Sequence, residues 1–62
     1  MYTIYNLKPY VVQLMIYNER DEIVRYDLLP IGVEGSSVKV PKLTNQNQTL
    51  ANRKLIKIVS EE

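Results

Sequence analysis

The chain has 62 residues, a formal net charge of +1, and neither cysteine nor histidine. A chain of this length forms one domain at most, with a thin core, because it buries only about 60% of its unfolded surface. The composition excludes a disulfide framework and argues against a zinc site, and the small charge does not by itself indicate a nucleic-acid binder. Without those aids to stability, we expect either self-association or a monomer of low stability.

No apolar run in the sequence approaches the length of about eighteen residues that a membrane span needs. The N-terminus also lacks the charged lead and apolar segment of a secretory signal. We therefore expect no membrane partner, and a chain that is made in the cytoplasm.

The first half of the chain has the pattern of β-strands. The segment "YTIYNL" alternates, Pro9 interrupts it, and the run "YVVQLMIY" at 10–17 is rich in β-branched and aromatic residues. The odd face of this run, with Val11, Met15 and Tyr17, is too apolar to be fully exposed, so either the sheet curls over it or a partner covers it. The even positions form the face that we expect toward the core: Tyr10, Val12, Leu14 and Ile16.

A hairpin and a short fourth strand are predicted next. The polar run "NERDE" at 18–22 is typical of a hairpin loop, and "IVRYDLL" after it alternates with Arg25 and Asp27 outward. The breaker-rich "PIGVEGSS" indicates a loop, and "SVKV" at 37–40 predicts a strand that Pro41 closes. Proline removes a ladder donor, so this end is expected at a sheet edge or at the exit of the strand.

The segment "TNQNQTLANR" predicts a two-turn helix over about 45–53, with Thr44 as the N-cap. Asparagine is a poor residue for a helix interior, so the helix needs tertiary contacts, which we assign to Leu43, Leu50 and Ala51. After the helix, "KLIKIV" predicts the last strand, and the terminal Ser-Glu-Glu is expected to fray.

Five side-chain amides fall within eight residues of this helical segment. They have two interpretations. They form the polar face and cap of a crossover helix, or they form an amide-rich contact surface, because Asn and Gln both donate and accept hydrogen bonds.

Together these elements predict a mainly β fold in a single small domain over 1–62. We expect a partly closed barrel or a sandwich of four to five short antiparallel strands, with one short helix before the last strand. The predicted core consists of Ile4, Val12, Leu14, Ile16, Val24, Tyr26, Leu28, Val38, Val40, Leu50, Ile56 and Ile58.

No catalytic, cofactor-binding or metal-binding residue is predicted. The chain lacks the commonest acid–base side chain and the strongest nucleophile. The carboxylates of the hairpin loop, Glu19, Asp21 and Glu22, are expected to be solvated, and so short a loop beside a thin core offers no cleft. We therefore expect a protein that is not an enzyme.

Binding of a protein partner is the function that these features favour. An exposed strand edge can accept a strand from a partner, and 37–40 and 2–7 are the edges that we expect to do so. No other outward surface is expected to match the apolar area of the odd face of the second strand. The predicted partner-binding residues are Val11, Met15, Tyr17, Tyr5 and Lys39.

An alternative is a small β-barrel that binds single-stranded nucleic acid, with tyrosines stacking on bases and basic side chains contacting phosphates. The chain has five tyrosines but no phenylalanine or tryptophan, so tyrosine also serves as its only aromatic strand residue. The basic side chains form a stripe only if their strands are neighbours. The residues assigned to this function are Tyr5, Tyr17, Arg25, Lys39 and Lys57.

The order of elements also resembles a known class of proteins. A strand hairpin is followed by "LLPIGVEGSSVKVP", a short polar helix and the closing "KLIKIV". This order is similar to that of small structural proteins of tailed-bacteriophage virions. The resemblance implies a head decoration or connector accessory protein, present in the virion in many copies and docked on capsid or head–tail proteins. It implies no particular site residues, and a phage-encoded inhibitor of a host enzyme is a third hypothesis.

Overall fold

Five strands and one short helix make up residues 1–60, the part of the chain that this computed structural model describes. The elements are β1 (Tyr2–Asn6), β2 (Val12–Tyr17), β3 (Ile23–Leu28), β4 (Ser37–Val40), α1 (Asn45–Asn52) and β5 (Ile56–Ser60). The strands form two antiparallel sheets, one ordered β4-β1-β5 and the other a β2-β3 ribbon, and the sheets are not closed into a barrel. The predicted mainly β class, with one helix before the last strand, is confirmed.

The inner faces of both sheets share one core. Its buried apolar side chains are Ile4, Val12, Leu14, Ile16, Leu28, Val40 and Ile56. Four further residues of the predicted core are partly buried against it, namely Tyr26, Val38, Leu50 and Ile58. Leu43 and Ala51, which were assigned to hold the helix, also pack there. The period-2 alternation of the strands therefore predicted the core correctly, apart from one position.

Val24 is the predicted core residue that is wrong, since it is 38% exposed. It lies opposite the buried Ile16 and therefore has the expected face, but β3 has no neighbouring strand on its other side among the described residues, so Val24 lies at the rim of the core. Tyr10 was also expected on the core face and is 53% exposed. Because β2 begins only at Val12, Tyr10 belongs to the preceding bend and the alternation does not govern it.

The side chain of Asn6 joins the two sheets. Its Nδ2 donates to the carbonyl oxygens of Tyr10 at 2.8 Å, Leu28 at 3.2 Å and Leu29 at 2.9 Å. Its Oδ1 accepts from the backbone N–H of Lys8 at 2.8 Å. Asn6 is only 1% exposed, and a buried amide is stable there because all its hydrogen-bonding groups have partners. It thus fixes the end of β1 against the end of β3.

The strand order decides which edges are open. β4 lies at an edge of its sheet, which is one of the two places that the proline after it allowed, and β5 lies at the other edge. β1 is the central strand of this sheet, so the expectation that 2–7 forms an open edge is wrong. The alternation within β1 does not show whether the strand is central or at an edge, because the order of strands depends on segments far away in sequence.

Helix α1 is closed at both ends by local hydrogen bonds. At its start, the Thr44 hydroxyl accepts from the Asn47 N–H at 3.1 Å, and Asn47 Oδ1 accepts from the Thr44 N–H at 3.0 Å. This is a capping box with asparagine in place of the usual Glu or Gln. At its end, Lys54 has a left-handed φ of 61° and the Leu55 N–H donates to the Leu50 carbonyl, which is a Schellman motif.

The last strand is shifted from the predicted 54–59 to Ile56–Ser60, because Lys54 and Leu55 close the end of α1. Ser60 belongs to β5 and lies opposite Tyr2, so the expected fraying of Ser60 is wrong. The other two residues of that expectation, Glu61 and Glu62, lie outside the described residues.

Candidate docking surface

The start of α1 covers the edge of β2 that faces away from β3. Gln46 Oε1 accepts from the Met15 N–H at 3.0 Å, and Gln46 Nε2 donates to the Gln13 carbonyl at 3.0 Å. The Met15 carbonyl accepts from the Thr44 hydroxyl at 2.9 Å and from Asn47 Nδ2 at 3.2 Å. A side-chain amide carries a donor and an acceptor side by side, as a peptide group does. Gln46 therefore occupies the place of a neighbouring strand.

These contacts divide the amide cluster into two groups. Asn47 is fully buried, and together with Gln46 it serves the cap of α1 and the edge of β2. Asn45, Gln48 and Asn52 are exposed. The helix-cap interpretation therefore holds for Asn47. Gln46 and Asn47 also cover the edge of β2, a role that the sequence did not indicate.

The outward face of the β2-β3 ribbon carries apolar side chains around Tyr17. Met15 is 37% exposed and Ile23, which lies opposite Tyr17, is 52% exposed, whereas Tyr17 itself is half-buried. We call Met15, Tyr17, Ile23 and Leu43 the Tyr17 surface. One groove beside it, of about 390 Å³, is lined by Met15, Tyr17, Ile23, Leu43, Thr44, Asn45 and Gln46. A second, of about 460 Å³, is lined by Met1, Ile16, Tyr17, Asn18, Glu19, Lys39 and Pro41. Tyr17 thus stands between two grooves.

A charged pair stands over the Tyr17 ring. The Lys42 ammonium nitrogen lies 5.5 Å from the ring centroid, within the range of a cation–π contact. The same nitrogen is 2.8 Å from Asp21 Oδ1. This hydrogen bond and the charge of Asp21 raise the pKa of Lys42 above its usual value. Both side chains are exposed, so the pair contributes little to stability, but it places a positive charge at the border of the Tyr17 surface.

The structure brings together three of the five predicted partner-binding residues. Met15 and Tyr17 line one groove, and Tyr17 and Lys39 line the other. Val11 is 47% exposed but precedes β2, and Tyr5 lies on the other sheet, opposite Lys57. Because Val11 and Met15 are exposed, the odd face of the second strand is not the interior of a closed barrel.

A second apolar surface lies at the other sheet. A groove of about 350 Å³ is lined by Tyr5, Asn6, Leu7, Ile31, Ser36, Lys57 and Val59. Ile31 is 53% exposed and Leu7 is 40% exposed. The expectation that no other outward surface holds comparable apolar area is therefore wrong. The reason is that the predicted loop between β3 and β4 exposes apolar side chains, among them Ile31 and Val33.

The residues assigned to nucleic-acid binding do not form one surface. Tyr17 and Arg25 belong to the β2-β3 ribbon, whereas Tyr5, Lys39 and Lys57 belong to the three-stranded sheet. Arg25 and the two lysines are therefore not on neighbouring strands. The basic stripe that this alternative requires is not formed.

The hairpin loop forms an open depression rather than a cleft. It has a volume of about 260 Å³ and is lined by Asn18, Glu19, Arg20 and Glu22. Asn18 Oδ1 accepts from the N–H groups of Arg20 and Glu22 and so shapes the turn. Within residues 1–60, no group of three or more His, Cys, Asp or Glu side chains is placed to hold a metal ion. In the same range, no helix has the length and apolar character that crossing a membrane requires.

A scan against protein-family models, a search of curated proteins and a search of solved structures found no match for this chain. What the fold itself defines is a small β protein of two antiparallel sheets with a single helix.

Sequence reasoning missed several residues of the Tyr17 surface and its border. The alternation assigns Ile23 only to a strand, Leu43 is predicted only as a contact of the helix, and no pattern distinguishes Lys42. Their only sequence signal is that polar and apolar residues alternate around Pro41, which does not indicate that this segment returns to β2. The approach of this segment to β2 depends on contacts between residues about thirty positions apart in the sequence, such as the hydrogen bond between Met15 and Gln46.

Proposed function

We propose that this chain is a non-enzymatic docking protein that binds a protein partner through the Tyr17 surface. The observation that carries the proposal is the half-buried Tyr17 between two grooves, with exposed Met15 and Ile23 beside it. Tyrosine suits such contacts because it presents a rigid ring with a polar tip, and methionine because it adapts its shape. The proposed function requires no cofactor.

The proposed partner is a capsid or head–tail protein of a tailed bacteriophage, and the proposed location is the virion. This part rests on the resemblance in element order to small virion proteins. A chain with little core of its own suits attachment in many copies to a larger surface, because docking adds to its stability by mass action.

Truncation of Tyr17 to alanine is expected to weaken attachment by roughly 1 to 3 kcal/mol, the range of an interface anchor. The tagged chain is produced in cells infected by the phage that encodes it, and its copy number per purified particle is measured. The variant should fold, since Tyr17 lies at the end of β2 outside the buried core, and circular dichroism of the free protein checks this. Met15→Ala should also weaken attachment, by a smaller amount.

The matched control is Tyr10→Ala, which removes the same ring from an exposed position outside the Tyr17 surface. It should leave the copy number unchanged. Two results would contradict the proposal. One is wild-type protein absent from particles. The other is Tyr17→Ala incorporated like the wild type. If the isolated chain instead binds single-stranded DNA with a steep salt dependence, the nucleic-acid alternative applies.

A further inference from the structure

The two edges of the β2-β3 ribbon are treated differently. The outer edge of β2 is covered by Gln46, Asn47 and Thr44. The outer edge of β3 has no neighbouring strand among the described residues. An unpaired edge with free N–H and C=O groups is a template for a further strand. The question is therefore which strand fits β3.

The contacts of β2 show which backbone groups of β3 point outward. The Met15 N–H bonds to Gln46 and so points away from β3. In an antiparallel pair, successive residues point their backbone groups alternately toward and away from the neighbour. Arg25 lies opposite Met15, so the N–H and C=O of Arg25 point to the open side, and those of Asp27 do the same.

The side chains of these two residues make the open edge complementary to itself. Arg25 and Asp27 have opposite charges, share the outward face and are exposed. Their neighbours across the ribbon, Met15 and Gln13, are uncharged. Consider the β3 strand of a second copy placed antiparallel to the first, with the two Tyr26 residues side by side. Arg25 of each copy then lies opposite Asp27 of the other. Such opposite-charge pairs stabilise a sheet.

The neighbouring registers are disfavoured by the same charges. A shift that places Arg25 opposite Arg25 of the second copy sets two positive charges together. The shift in the other direction places Asp27 opposite Asp27. Like charges directly opposite each other destabilise a strand pair. Of these three registers, only the one with Tyr26 beside Tyr26 places both Arg25 residues opposite an Asp27 of the other copy.

The inner face of β3 fits the same partner. Val24 is 38% exposed and Tyr26 is partly buried, although both lie on the core face. A second β3 in this register places Tyr26 against Tyr26 and Val24 against Leu28 of the second copy, which covers apolar area at the rim of the core. The pairing ends at Leu28, because the Leu29 N–H already donates to Gly35 O.

From these observations we propose that two copies of this chain associate through the outer edges of β3. The strands run antiparallel about Tyr26, and the two ribbons become one four-stranded sheet. Each copy contributes two outward-pointing residues, Arg25 and Asp27, to the backbone hydrogen bonds and to two cross-strand ion pairs. This self-association goes beyond the docking function. It depends on Arg25 and Asp27, which are not part of the Tyr17 surface, so each proposal is tested by its own variants.

The test uses charge variants at two exposed positions, and sedimentation equilibrium measures the dimer. Arg25→Asp makes both outward residues negative, and Asp27→Arg makes both positive. Each variant alone should dissociate at least about tenfold more readily than the wild type, because like charges then face each other. A one-to-one mixture of the two variants should form a heterodimer at least as tight as the wild-type dimer. The wild-type dimer should also weaken as salt is raised.

Circular dichroism of each variant confirms that the monomer remains folded, and native mass spectrometry distinguishes the heterodimer from either homodimer. The proposal is overturned by a wild-type chain that stays monomeric at millimolar concentration. It is equally overturned if the single variants dimerise as tightly as the wild type, or if the mixture forms no heterodimer.

Discussion

Asn6→Asp is expected to remove a large part of the protein's stability at neutral pH. The substitution keeps the shape of the side chain but replaces the donating amide nitrogen with an acceptor that faces the carbonyl oxygens of Tyr10, Leu28 and Leu29. One carboxylate oxygen keeps the Lys8 N–H, but the other faces only acceptors, and such a buried charge costs at least about 3 kcal/mol. A domain of this size has a total stability of roughly 3 to 9 kcal/mol. Urea denaturation followed by circular dichroism measures the loss.

The loss should shrink as the pH falls. Burial raises the pKa of the introduced carboxyl in the folded state, so the folded protein binds the proton more tightly than the unfolded chain does. Stability is then regained as the pH drops through that folded-state pKa. The matched control is Asn45→Asp, which places the same change at an exposed position in the first turn of α1, where a negative charge is tolerated. If both variants were equally stable, Asn6 would not join the sheets.

Asn47→Ala is expected to lower the free energy of unfolding by about 1 to 3 kcal/mol. The substitution removes one of the two bonds of the capping box, because it leaves the partly buried Thr44 N–H without its acceptor. It also removes one of the donors to the Met15 carbonyl. Urea denaturation gives the change, and the helical signal in circular dichroism should fall with it.

Two other amides of the same helix serve as controls. Gln48→Ala and Asn52→Ala remove exposed side chains and should change the stability by no more than about 0.5 kcal/mol. Equal losses at the buried and the exposed amides would show that the cluster acts through average helix propensity rather than through the contacts of Asn47.

The elements of this fold follow largely from local patterns. The alternation in β2 and β3 placed Leu14 and Leu28 in the core, and the threonine before the amide run marked the start of α1. These signals are local because side-chain direction in a strand and the cap of a helix depend on a few neighbouring residues. Alternation fails where an element ends, and this is why Tyr10 is exposed. Val24 has the predicted face and is exposed because β3 has a neighbouring strand on one side only.

The interactions that join the elements did not follow from the sequence. Asn6 looks like an ordinary polar residue at the end of a strand, yet its amide binds carbonyl groups more than twenty positions away. Gln46 looks like one of several solvent-facing amides, yet it binds the backbone of β2. An amide side chain fits a helix cap, a strand edge or solvent equally well, so only the tertiary arrangement decides among these roles.

The candidate site was predicted in part for the same reason. The apolar odd face of β2 identified Met15 and Tyr17, because both lie on one strand. The segments that border this face come from β3 and from the chain before α1, and their approach to β2 has no local signal. The open edge of β3 was likewise hidden until the strand order was known.

The central claim is that side chains of α1 cover the β2 edge of the ribbon, whereas the β3 edge is open to a second copy. Hydrogen exchange of three backbone N–H groups tests this claim most directly. NMR should follow Met15, Arg25 and Asp27 over a range of protein concentrations. We expect the Met15 amide to be protected at every concentration, because it donates to Gln46. The Arg25 and Asp27 amides should exchange rapidly in dilute protein and become protected as the concentration rises. Rapid exchange of Met15, or exchange of Arg25 and Asp27 that does not change with concentration, would contradict this account.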